Sequence, residues 1–276
     1  MKKLQPKSKS FEYYIYIGFK FVSKKNLNIT EKKLLNNISC IDDSILIIDD
    51  ILDGSKIRNG KPCLYLQIGE ERAILKSKLL EIEARKNLLD LASLLKTKEE
   101  FKIKIINKFD DFLRDIYLGQ ETGQLITNKA VFSESLLKNY FKMITLFTGG
   151  HIKYSMEIGQ LLANKEPDPI ISTAAVSSGI IRQIVDDFND YFKKHHEPFG
   201  DFLSESNRLP EILFKKFGGD RNKALNLLKK GNIDDFLLMV LNKKVRKEII
   251  KYCDKNAELI NNKIVSLDDY RFILGE

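Results

Sequence analysis

Apolar residues return every three or four positions along most of this chain, through 11–23, 31–53, 70–96, 101–118, 133–163 and 170–194, and little interrupts them. Only 15 glycines and 6 prolines are spread over 276 residues, and tryptophan is absent. Leu, Ile, Lys, Glu and Asn dominate, which favours long helices over strands and turns. The expected fold class is therefore all-α, a single-domain helical bundle over residues 1–276. Further short helices are expected after Pro210. Asn28 to Thr30, ahead of EKKLL, read as a helix start, and Gly54 reads as the stop of the helix behind it. Loops are expected at 27–30, 54–62, 165–169 and 195–201, none of them long enough to be an interdomain linker.

Lys and Arg number 46 against 38 Asp and Glu, a formal charge of +8 that invites an anionic partner. The lysines come in ones and twos along helical stretches and are not gathered with aromatics, so they read as solvated helix faces and not as a nucleic-acid surface. Cys40, Cys63 and Cys253 lie in no metal-ligand spacing and suggest no disulfide framework, which makes a reducing cytoplasm the default location. Apolar runs are far shorter than the roughly 20 residues that span a bilayer, and no signal peptide is read in MKKLQPKSKS or in the FEYYIYIGFKFVSKK behind it.

Two carboxylate clusters break this pattern. SILIIDDILDG places Asp49, Asp50 and Asp53 at the end of one apolar helix, and QIVDDFND repeats the arrangement with Asp186, Asp187 and Asp190. Positions i and i+4 share a helical face, so Asp49 pairs with Asp53 and Asp186 with Asp190. Two like charges ~4 Å apart repel by about 4 kcal/mol at an effective dielectric near 20, and a helix C-terminus adds to the penalty. A cation must compensate. One such cluster is readily a hydrated acidic helix end. Two, each behind an apolar run, point to hard divalent ions such as Mg²⁺ that take a few carboxylates and leave positions for phosphate oxygens. Lys56 and Arg58, just beyond the first cluster, read either as phosphate contacts or as an ordinary basic loop.

IIDDILDGSKIRNGKP and QIVDDFND resemble the two aspartate-rich motifs and the R-R-G-x-P turn of the trans-isoprenyl diphosphate synthases, most nearly the geranylgeranyl type of eukaryotes. GKPCLYLQIGEERAI, YLGQETGQLIT and TLFTGGHI resemble further family segments. The resemblance implies a helical bundle around a central cavity. It also implies Mg²⁺ held by Asp49, Asp50, Asp53, Asp186, Asp187 and Asp190, with catalysis resting on Asp49, Asp53, Asp186 and Asp187. Asp49, Asp53 and Asp186 are the foremost ligands, and the others are further or water-mediated ones. Substrate binding falls to Lys7, Arg58, Gln120, Thr148 and Gln183. The implied partners are an allylic prenyl diphosphate and isopentenyl diphosphate, and a second copy of the chain in a homodimer or larger assembly. Ile45 and Ser44, with Ile41 one turn deeper, occupy positions where the family sets product length, and their modest size implies a chain of about twenty carbons or more; Ser44 reads equally as a helix-packing residue, with the floor of the cavity coming from another helix.

The departures fall on cations. Asn59 replaces the second arginine of the turn, Phe147 the lysine of K-T-G, Glu197 a lysine after the second motif and Ser206 a further one, while Ser10 stands where an N-terminal arginine is expected. Lys9, Lys193, Lys194 and His195 are the candidate substitutes. His151 reads as a packing residue, and His195 and His196 as a loop pair. The first expectation is a chain-elongating prenyltransferase. Alternatives are an enzyme with a changed acceptor or a cyclising outcome, a weakly active or silent regulatory subunit, and last a basic helical binding module.

Overall fold

A computed structural model describes residues 10–192 and 199–260. Apart from one two-residue hairpin, every regular element among these is helical. Residues cluster into two compact units, one drawn from Met1–Arg114 and His151–Ser172, the other from Asp115–Gly150 and Thr173–Glu276. No helix among the described residues is long and apolar enough to cross a membrane.

The first unit begins with α1 (Phe11–Val22), α2 (Ile29–Asn37) and α3 (Cys40–Leu52). Asn28 caps α2 as expected: its side chain accepts from Glu31 N while the Glu31 carboxylate accepts from Asn28 N, a reciprocal capping box. The stretch expected as one helix over 31–53 is two, because the backbone turns at Ile38–Ser39 and the Ser39 hydroxyl donates to Asn36 O. Apolar spacing carries straight across the break, with Leu35, Ile38 and Ile41 all buried, so periodicity alone does not mark it. Helix α3 packs along α5 (Glu70–Leu94), which buries Ala73, Ser77, Ala84, Leu88 and Leu91 and carries Glu70 and Glu71 in its first turn, where the helix dipole favours them. Between α3 and α5 lies the short α4 (Leu64–Ile68). Phe11 and Phe112, themselves packed on Phe109, lie against His151, whose Nε2 lies 2.8 Å from Asp42 Oδ1. The other Asp42 oxygen accepts from Phe11 N, so one carboxylate of α3 also caps α1. His151 is thus a packed, hydrogen-bonded residue, as its place in the sequence suggests.

The second unit takes in the C-terminal part of α6 (Glu99–Ile126), α7 (Glu134–Ile144), a π-helical turn (Thr145–Gly149) and most of α9 (Pro169–Asn189), while α8 (Gly150–Leu162), which follows the turn in the chain, belongs to the first unit from His151 on. The helix expected over 133–163 is thus interrupted by one wide turn, a local change in pitch that admits an extra residue without disturbing the apolar stripe. The unit closes with α10 (Gly200–Leu203), α11 (Leu209–Lys216), α12 (Arg221–Lys229), α13 (Ile233–Val240) and α14 (Lys243–Ala257). Its core joins Tyr140, Ile184, Phe188, Tyr191, Phe202, Leu213, Phe236 and Val245. Pro210 sits in the first turn of α11, where its missing N–H leaves no bond unmade.

Candidate active site

The first aspartate cluster occupies the last turn of α3. Asp50 is 4% exposed, Asp49 is half-buried and Asp53, the C-cap, is exposed. Gly54 follows with φ +64°, the left-handed conformation that ends the helix where expected. The chain then returns as a hairpin of β1 (Ile57–Arg58) and β2 (Lys61–Pro62), joined by Asn59 (φ +52°) and Gly60 (φ +75°). Positive φ at both central residues defines a type I′ turn, and Asn-Gly is its preferred pair. The Asn-Gly pair is thus a hairpin signal inside a segment expected only as a loop.

The hairpin brings back the compensating charge. Arg58 Nε donates to Asp50 Oδ1 at 2.7 Å, and Arg58 Nη2 reaches Asp49 Oδ2 at 3.3 Å. Partial burial pulls the guanidinium's pKa down, but its hydrogen bond and charge pairing with Asp50 outweigh this and raise it. Cys63, at the start of α4, is buried, and burial together with its hydrogen bond to Asp50 pushes the thiol up. One turn deeper, the Ser44 hydroxyl pairs with Ser77 Oγ at 2.9 Å and donates to Ser77 O at 3.0 Å. Both serines are fully buried. Ser44 is therefore a contact between α3 and α5.

The second cluster closes α9. Asp186 is exposed, whereas Asp187 is 2% and Asp190 9% exposed. Asp187 Oδ2 accepts from the Tyr140 hydroxyl at 2.7 Å and Oδ1 from Gln183 Nε2 at 2.8 Å, while Asp190 Oδ2 accepts from Asp201 N at 3.3 Å. Burial raises Asp187 to about 7, against the lowering by Arg208, Tyr140 and Gln183. Thr148 donates to Gln183 Oε1 at 2.6 Å, so two expected substrate contacts bond to one another. Gly179 makes this possible: a Cβ there would lie 2.5 Å from Thr148 O, so only glycine lets α9 approach the π-helical turn so closely. Phe147 lies against Gly119 of α6, which gives this residue a packing role. Gln120, next along α6, is 9% exposed, and neither of its amide atoms has a hydrogen-bond partner. Lys7, Lys9, Lys193, Lys194, His195, His196 and Glu197 lie outside the described residues.

Sequence spacing brings out the aspartates, but not Tyr140, 47 positions before Asp187, nor the burial of Asp50, Asp187 and Asp190. Among the described residues no three His, Cys, Asp or Glu side chains converge as a ready-made ion cage. The donors fit Mg²⁺ nonetheless. That ion settles for one or two carboxylates and completes its shell with water and phosphate oxygens, and Asp49, Asp53 and Asp186 supply oxygens of that kind.

Comparison with known proteins gives these features a common setting. A curated relative, the short chain isoprenyl diphosphate synthase of Methanocaldococcus jannaschii, is 27% identical over 206 residues, 72% of this chain and 60% of that protein. The chain thus spans less than two thirds of that relative's length. A crystal structure of geranylgeranyl pyrophosphate synthase shares the fold with a TM-score of 0.73 at 15% identity, covering 99% of this chain and 89% of the other. A polyprenyl synthase from Caulobacter crescentus CB15, complexed with calcium and isoprenyl diphosphate, gives a TM-score of 0.69 at 18% identity, covering 99% and 84%. Polyprenyl synthetase is also the family that residues 13–203, more than half the sequence, match, and the chain belongs to it.

Proposed function

We propose that the protein is a Mg²⁺-dependent prenyltransferase that condenses an allylic diphosphate with isopentenyl diphosphate to a longer prenyl diphosphate, of geranylgeranyl length, acting as a homodimer. In this reaction the allylic C–O bond breaks, a C–C bond forms to the isopentenyl double bond, and a proton is lost, taken up by the released diphosphate. Family membership supports the reading, and so does the curated relative named for isoprenyl diphosphate synthesis.

The observation that carries it is the sorting of carboxylates at the two acidic helix ends. Asp50 and Asp187 are each buried and committed to protein donors, while Asp53 and Asp186 are exposed and Asp49 is half-exposed. Asp49, Asp53 and Asp186 would hold the ions. Bound there, Mg²⁺ would supply positive charge against the departing diphosphate. Arg58, anchored by Asp50, keeps a second guanidinium nitrogen beside Asp49, where it would screen the cluster before a ligand arrives and meet a phosphate oxygen afterwards. Thr148 and Gln183, bonded to each other, would contact substrate at α9.

A second reading, a weakly active regulatory subunit of a prenyl synthase, draws on Asn59 and Phe147. One serves a tight turn and the other helix packing, at positions where the resemblance calls for cations. Incubation of the purified protein with Mg²⁺, isopentenyl diphosphate and farnesyl diphosphate decides between them: chain extension supports the enzyme, and an inert protein that alters the products of an active synthase supports the subunit. Asp49→Ala should abolish turnover with the circular dichroism spectrum unchanged. Full activity in that variant would remove the metal role.

A further inference from the structure

Tyr140 is the largest of the fully buried side chains among the described residues. A buried phenol needs a partner, and this one donates to Asp187 Oδ2 at 2.7 Å. From the opposite side Gln183 Nε2 holds Oδ1 at 2.8 Å, and the amide oxygen of Gln183 is itself held by Thr148. Three elements, α7, the π-helical turn and α9, thus meet in one chain of hydrogen bonds that ends on a carboxylate beside the exposed Asp186. Consecutive side chains on a helix point about 100° apart. Pinning Asp187 inward therefore sets the direction in which Asp186 leaves the helix.

We infer that Tyr140 is a positioning residue for the metal–diphosphate site: it clamps Asp187 into the core and so aims Asp186 outward. The inference rests on the function proposed above and assigns Tyr140 no contact with substrate. Phenylalanine fills the same space but strips Oδ2 of its donor. A buried carboxylate that has lost a partner is relieved if the last turn of α9 rotates it towards water, which carries Asp186 off its line.

Titration calorimetry of Mn²⁺ into the full-length protein with inorganic pyrophosphate tests this, using wild type, Tyr140→Phe, Asp187→Asn, the double variant and Asp186→Ala. Tyr140→Phe should weaken Mn²⁺ binding roughly tenfold, the scale of one lost hydrogen bond to a charged group. Because both changes act through one carboxylate, the double variant should be no weaker than the worse single one. Wild-type affinity in Tyr140→Phe, or full additivity with Asp187→Asn, overturns the inference. Should Tyr140→Phe fail to fold, Thr148→Val, which cuts the same chain at its far end, must weaken binding in the same direction, and unchanged affinity there overturns it equally. A wild-type protein that takes up no Mn²⁺ with pyrophosphate, or an Asp186→Ala variant that binds as tightly as wild type, refutes the functional reading and this inference with it. Tight binding lost in Asp186→Ala but kept in Tyr140→Phe refutes the inference alone.

Discussion

The ends of α3 and α9 carry the same aspartate pattern and both bury its second member, with Asp190 buried as well at the end of α9, yet they hold that second member by different physics. Asp50 is matched by a cation delivered on a hairpin eight residues further on, whereas Asp187 is matched by a phenol and an amide. A local ion pair offsets the charge itself. The donors bonded to Asp187 are neutral, and although Arg208 attracts its charge without bonding to it, the cost of burying that charge prevails and Asp187 is pushed up to about 7. Identical sequence motifs can therefore differ in how they respond to pH and to truncation.

The largest expected effect sharpens this contrast. With its folded pKa above that of the unfolded chain, Asp187 binds its proton more tightly when folded, so its contribution is intact below pH ~4 and is lost as pH rises towards 7. Each tenfold change in proton affinity is worth about 1.4 kcal/mol, which puts the whole loss on the order of 4 kcal/mol. Asp187→Asn should flatten this fall in urea-melt stability of the metal-free protein between pH 4 and 7.5, and an unchanged slope would show that Asp187 is not charged at a cost. Next comes Arg58→Met, which leaves Asp50 buried without its cation. Since Arg58 retains 35% exposure, the loss should lie near the low end for broken buried pairs, about 3 kcal/mol at pH 7. A midpoint within error of wild type would mean that water replaces the arginine. Tyr140→Phe should cost about 1–2 kcal/mol, because only a neutral donor is removed. A loss exceeding that of Arg58→Met would invert the comparison. Smallest is Asn59→Ala in the hairpin, about 1 kcal/mol for placing alanine at positive φ, measurable as a shift in thermal midpoint.

Much of the fold is legible in the sequence. Helical periodicity locates the long elements, Asn28 and Gly54 mark termini, and the aspartates stand out because like charges do not gather at a helix C-terminus without cause. The break between α2 and α3 escapes because buried Leu35, Ile38 and Ile41 keep their spacing through it. The division of labour within each cluster escapes for another reason. At α9 it depends on Tyr140, remote in sequence, and at α3 on Arg58, close in sequence but brought back only by the hairpin, so the aspartate spacing alone carries no trace of either. Ser44 shows the limit of position-by-position transfer: at a site where side-chain size is expected to set product length, the structure has a serine hydroxyl paired with Ser77.

The π-helical turn at Thr145–Gly149 also bears on what change this chain can tolerate. It spends one residue more than an α-helix would for the same advance, so deleting any one of the five would yield a smooth helix of unimpaired propensity. Every side chain beyond it, His151 included, would then keep its phase, because the residue lost is the one the wide turn absorbs. Loss of a single codon can therefore be absorbed within this turn, whereas the same loss inside α8 would rotate the rest of that helix by about 100°.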